Sequence, residues 1–459
     1  MRTVRRLLGR VSRTCTVLSM CIALSACAAK EQTPTQEAAV TSDSEALTTS
    51  GHGEALEQAV KFRLRSGKQI FRYETFGDEE FWGDKLKLHL AIAGEANGGV
   101  GAGISPATAL ALGLKVDVDA LPAPLKHKLR RGRVDLNDPA TTLALLKLNA
   151  VIGLTGFFDE EGQIQKVGIQ CALCHSTVDD SFAPGIGRRR DGWPSRDLDI
   201  GGIVAAAPDL SAITSLLGVS DETLRSVLRG WGRGKFDAFV LFDGKATRPD
   251  GGSAAVLIPP LFGLEGVGLV TWNGWSGIGS WVPLVITLEM HGKGAFSDRR
   301  LADATQFPIA AANRFDRIRD TPDRTTPKLA PLLAYIQALE APLPAPGSYD
   351  EDAAVRGEAL FTGKARCSGC HVPPLNSTPG WNIVPPAAIG VDSFHADRSP
   401  NRGYRIPPLR GIQTRTAGGF FHDGRFATLA DVVAHFNTHF SLALTAAEQA
   451  DLVEFLKSL

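Results

Sequence analysis

Cys171-Ala-Leu-Cys174-His175 and Cys367-Ser-Gly-Cys370-His371 are two copies of one pattern, Cys-x-x-Cys-His, within a chain of 459 residues. Two thiols one helical turn apart add across the two vinyl groups of a haem, and the adjoining histidine then stands under the iron as its proximal ligand. Cys-x-x-Cys alone would read as a redox or zinc pair. Here the histidine is present both times, and every cysteine beyond position 27 is used. The pattern therefore predicts two covalently bound haem c groups, attached at Cys171 and Cys174 and at Cys367 and Cys370, with His175 and His371 on the metal.

The remaining cysteines, Cys15, Cys21 and Cys27, lie at the N-terminus. Residues 1–26 hold five arginines and no acid, followed by an apolar run from Val17 to Ala26, which reads as a signal peptide rather than a membrane span. Leu24-Ser25-Ala26-Cys27 resembles a bacterial lipobox, in which Cys27 is acylated. The expectation is an exported protein held to a bacterial membrane by lipid, facing the periplasm or the cell surface. Residues 27–53 then form a polar tether without aromatic residues. Lys+Arg and Asp+Glu both number 49, so removal of the five arginines leaves a mildly acidic chain. That balance and a hydrophobic content of 44% exclude disorder, a polybasic nucleic-acid binder and a multi-span membrane protein.

The sequence on either side of the two motifs repeats. Ile258-Pro-Pro-Leu261 matches Ile406-Pro-Pro-Leu409, and Trp272-Asn273-Gly274 matches His422-Asp423-Gly424. Leu332, Tyr335, Ile336 and Leu339 have the spacing of Leu452, Phe455, Leu456 and Leu459. That i, i+3, i+4, i+7 stripe is one buried helix face. The fold class expected is mainly α, with two tandem cytochrome c-like domains over 54–345 and 346–459, joined by the Pro-rich segment 341–347. The first is enlarged. Its haem histidine lies more than twice as far from the Ile-Pro-Pro-Leu segment as in the second, and a hairpin (Val151 to Phe158, Gln163 to Ile169) leads into Cys171.

Arg356-Gly-Glu-Ala-Leu-Phe361 before the second motif, and Ile406-Pro-Pro-Leu-Arg410 with Phe421-His-Asp-Gly-Arg-Phe-Ala-Thr-Leu429 after it, resemble the bacterial dihaem cytochrome c peroxidase and MauG family, which includes RoxA-like cytochromes. The resemblance is specific over Gly357 to Leu459, looser over Val167 to Leu339 and absent before that. It implies a redox enzyme that activates hydrogen peroxide or oxygen at the first haem and draws electrons from a small redox protein through the second. It also allows Ca2+ between the domains. Alternatives on the same scaffold are a non-catalytic periplasmic electron-transfer cytochrome and a RoxA-like oxygenase.

The resemblance also implies site residues. Trp272 matches the tryptophan between the haems, and Glu289, in Glu289-Met290, matches the acid above the first haem. The position that is Met in the peroxidases and Tyr in MauG is Phe436, which cannot ligate iron. Its neighbour His435, or His439 one turn on, is the expected sixth ligand of the second iron. No histidine follows His175 before His291, so the first iron is expected to be open, with Met290 and His291 as the side chains that could close it. Arg188, Arg189 and Arg190 are candidates for the haem propionates.

Overall fold

Two helix pairs frame the chain, and a glycine lets each pair close. In the computed structural model, which describes residues 51–459, the helix Gly51–Tyr73 crosses the helix Thr326–Gln337. At the crossing, a Cβ on Gly67 would lie 2.0 Å from the Pro331 carbonyl oxygen. The helices Glu351–Thr362 and Ala446–Ser458 cross in the same manner, where a Cβ on Gly357 would lie 2.1 Å from the Asp451 carbonyl oxygen. One turn after each glycine an aromatic ring packs on the closing helix, Phe71 on Tyr335 at 5.6 Å and Phe361 on Phe455 at 5.0 Å. Leu332, Ile336, Leu452 and Leu456, the predicted stripe residues, are buried. The signal peptide, Cys27 and most of the tether fall on residues 1–50, outside the described residues.

The repeat extends to the backbone of the loops. Gly263 and Gly411, just after the two Ile-Pro-Pro-Leu segments, both have positive φ, and their amides donate to the carbonyls of Leu339 and Leu459 at 2.7 and 2.8 Å. Antiparallel bridges Val270↔Ser276 and Phe420↔Phe426 then enclose turns in which Thr271 and Phe421 occupy the left-handed region. The hydrophobic cluster around Phe361, Leu409, Leu429 and Leu452 draws only on the second half.

The first half carries the additions that its length implied. Leu154–Phe158 pairs antiparallel with Ile164–Ile169, the expected hairpin, and places Cys171 directly after its second strand. The rest is short helices and two-stranded ladders, so the fold is mainly α. Among the described residues no helix is long and apolar enough to cross a membrane. Leu56–Leu459 forms one compact unit.

A buried charge cluster ties the two halves together. Arg398 reaches from the second half to Asp243 (2.7 Å) and Asp237 (3.0 Å) of the first, with all three side chains at most 1% exposed. Its bond to Asp243 is bidentate. Desolvating three charges is expensive, and the cluster holds only because each carboxylate meets the same guanidinium. Arg398→Met leaves two buried carboxylates without a cation and is expected to cost about 3–5 kcal/mol in stability. The midpoint of urea unfolding measures this loss.

Candidate functional site

Each Cys-x-x-Cys-His motif opens into its own cavity. The first, with about 1630 Å³ of atom-free space, is lined by Cys171, Cys174 and His175. The second, with about 1240 Å³, is lined by Cys367 and His371. Burial pushes His175 and His371 down to about 4, so both imidazoles are neutral at neutral pH, as iron ligation requires. His371 Nδ1 pairs with the Asn376 carbonyl at 3.0 Å, which fixes the tautomer and leaves Nε2 for a metal. Cys171 and Cys174 are pushed up to about 12 by burial and stay protonated thiols.

The walls of the second cavity contain cations that have no counter-ion among the described residues. Arg196, Arg405 and Arg415 line the second cavity. Each is buried with a guanidinium nitrogen lacking any hydrogen-bond partner. Desolvation pushes Arg196 and Arg405 down to about 10 and Arg415, which also feels the other two, to about 9. Among the described residues none of the three forms an ion pair. An uncompensated buried charge is costly, and a pair of haem propionates supplies the carboxylates that these arginines lack. The cysteines and neutral histidines fit haem c in both cavities, and the three arginines fit its propionates in the second.

The arginines expected for that task stand elsewhere. Arg189 pairs with Asp117 at 3.1 Å and Arg190 lies over the Trp193 ring at 4.7 Å. Neither lines either of these two cavities.

Trp272 and Arg405 line both cavities, so they lie between the two motifs. The Trp272 indole donates to the Leu257 carbonyl at 2.6 Å. Arg405 is braced against the same turn, with its amide on the Trp272 carbonyl at 3.1 Å and its Nε on the Thr271 carbonyl.

Glu289 lies in the wall of the first cavity. Pro283 inside the helix Ile278–Leu284 is followed by a π-helical turn, Val285–Glu289, that ends at this residue. Both carboxylate oxygens are buried without a hydrogen-bond partner. Burial first, and the charge of Asp237 second, raise its pKa well above the usual carboxyl range, so it is a neutral acid. Met290 is in the same wall. His291 is not, because its ring stacks on Phe81 at 3.6 Å.

His435 is not among the residues that line the second cavity. Its Nε2 bonds to the Ile389 carbonyl at 2.9 Å, and His439 does the same with Ala388 at 3.2 Å. The cavity-facing residues of that helix are Leu429, Val432, Val433 and Phe436, an i, i+3, i+4, i+7 stripe. His435 lies beside it, about 60° from Val432 and about 100° from Phe436.

His422 lies beside the second cavity, with its Nε2 3.3 Å from the Tyr404 hydroxyl. With Asp392 and Asp423 it forms the one convergent group of metal-ligand atoms among the described residues. Arg425 pairs with both carboxylates and Arg248 with Asp423 at 3.0 Å. A histidine and two acids already neutralised by arginine do not fit Ca2+.

No family model matches the chain. It is similar to cytochrome-c peroxidase IdrP1 of Denitromonas iodatirespirans, 30% identical over 23% of this chain and 40% of that protein. The match thus spans less than half of that relative's length. Among solved structures, it is similar to a hydrazine synthase chain of Kuenenia stuttgartiensis (19% identity, 48% of this chain and 86% of that one, TM-score 0.26). A MauG-like protein associated with microbial copper homeostasis is also similar (20% identity, 47% and 77%, TM-score 0.32). TM-scores this low carry no argument about the fold. The sequence resemblance to the dihaem cytochrome c peroxidase and MauG group stands on the motifs and on the curated relative.

Burial holds His422 at about 4, below the ordinary 6.5 of the unfolded chain. As the pH falls from about 6.5 toward about 4, the unfolded state takes up a proton that the folded state refuses, so stability falls by up to about 3 kcal/mol. Urea midpoints of the full chain near both pH values should show this loss, and His422→Phe should reduce it.

Proposed function

We propose that the chain is an exported dihaem c-type oxidoreductase, built from two cytochrome c-like domains, that reduces hydrogen peroxide at the first centre with electrons from a small redox protein relayed through the second. One observation carries the reading. The first cavity contains a protonated carboxyl group with no partner, Glu289, whereas no carboxylate lines the second.

Haem c, when bound, supplies the redox-active iron at which the oxygen–oxygen bond is reduced and through which electrons pass. His175 and His371 would ligate the iron, and Cys171, Cys174, Cys367 and Cys370 would anchor the porphyrin. Arg196, Arg405 and Arg415 neutralise propionates of the second group. Glu289 keeps a proton at the wall of a cavity whose lining is otherwise largely apolar, which excludes competing water. Trp272, shared by both walls, is the side chain best situated to pass electrons between them. His435 is left out of the ligand set because its Nε2 is engaged by Ile389.

Peroxide turnover, with a reduced small c-type cytochrome as donor, should fall about 10²–10³-fold in Glu289→Gln while haem content is unchanged. Two low-spin haems in the electron paramagnetic resonance spectrum, together with failure to bind cyanide, would refute the open first centre.

The lipid anchor is part of the same proposal, resting on Leu24-Ser25-Ala26-Cys27. Cys27→Ser should move the protein from the membrane pellet to the soluble exported fraction after cell fractionation.

A further inference from the structure

Glu289 has a counterpart in the first cavity that comes from the other half of the chain. His395 stands on the short helix Phe394–Asp397 and belongs to no repeated motif. It is 3% exposed, it lines the same cavity as His175 and Glu289, and its Nδ1 has no hydrogen-bond partner. The large majority of buried side-chain polar atoms are hydrogen-bonded.

The position is held from several sides. The His395 ring stacks on His422 at 5.3 Å and 14°, with the Phe239 ring at 5.4 Å and the Tyr404 ring at 6.2 Å. Arg398 follows on the same turn, neutralised by Asp237 and Asp243. Asp423 lies beyond His422, and Arg405 lies in the cavity wall. Desolvation, then His422 and Arg398, disfavour the protonated ring, against a smaller opposite effect of Asp423. His395 is therefore neutral where Glu289 is also neutral, one able to accept a proton and the other to donate one. The segment 237–239 serves both, since the Asp237 charge acts on Glu289 and Phe239 packs against His395.

We propose that His395 is the proton acceptor of the first cavity, working opposite Glu289 as the donor. The proposal rests on the peroxide-reducing reading above. It applies the rule that two groups whose surroundings push their acidities apart divide the acid and base work between them. Hydrogen peroxide, two electrons from the redox protein and two protons from solvent give two waters. His395 takes the proton of the near oxygen, the oxygen–oxygen bond breaks, and Glu289 protonates the far oxygen, which leaves as water. The near oxygen receives the two electrons, the proton held by His395 and one solvent proton, and the second solvent proton restores Glu289.

Hydrogen cyanide tests the base separately from turnover, because it also must lose its proton to bind iron. The measurement is the cyanide association rate of the haem-loaded full chain against pH, for wild type and for His395→Phe, which keeps a ring in the stack. The wild-type rate should change little between about pH 6 and 8. The variant should bind at least about tenfold more slowly near pH 6, and its rate should climb about tenfold per pH unit as free cyanide ion takes over. His395→Gln, which keeps a polar group of similar reach, should show the same loss and decides the matter if the phenyl variant does not load haem. Wild-type rates and pH profile in the variants overturn the assignment. Absence of cyanide binding in the wild type itself refutes instead the open first centre on which the assignment rests.

Discussion

Arg398 is the charge on which the relation of the two halves depends. A guanidinium held by two carboxylates in a buried site tolerates little displacement, because any loosening exposes an uncompensated charge to a low dielectric. The cluster joins Asp237 and Asp243 of the first half to the turn of the second half that also bears His395. Through it, a segment from the second half becomes part of the wall of the first cavity. Arg405 does the complementary thing nearby, bracing the Trp272 turn from the second half. The cavities are thus products of the pairing of the halves, and neither wall is complete within one repeat.

What the sequence made legible was local. The Cys-x-x-Cys-His spacing, the Ile-Pro-Pro-Leu segments, the closing-helix stripes and the hairpin before Cys171 are all set by neighbours within one element or one turn. Trp272 and Glu289 were also within reach, because the family resemblance gave each a motif. The residues that escaped depend on distance in sequence. Nothing in Arg196, Arg405 or Arg415 says that their guanidinium groups are buried without a counter-ion. His395 likewise acquires its meaning only from residues of the other half.

Two of the misses did leave a trace in the sequence. Gly67-Lys-Gln-Ile-Phe71 shares its glycine and aromatic spacing with Gly357-Glu-Ala-Leu-Phe361, so the repeat begins well before the region where the resemblance was read. The stripe Leu429, Val432, Val433, Phe436 already sets the phase of its helix, and in that phase His435 cannot face the cavity. Here periodicity was a better guide than ligand chemistry, since a helix chooses its buried face by the sum of its apolar contacts and not by one imidazole.

Trp272 and His422 occupy equivalent positions in the two copies of one turn, and both are tied to the same residue. The Leu257 carbonyl accepts from the Trp272 indole at 2.6 Å, while the Leu257 amide donates to the His422 carbonyl at 2.7 Å. After a duplication, equivalent positions begin as the same residue and are free to diverge as long as the backbone pattern survives. Here one copy has an electron-rich ring that does not titrate in the physiological range, and the other a ring that can gain or lose a proton. A single ancestral turn can therefore come to present two different side chains, one to both cavities and one to the second, by replacement alone, with no new loop and no change of fold.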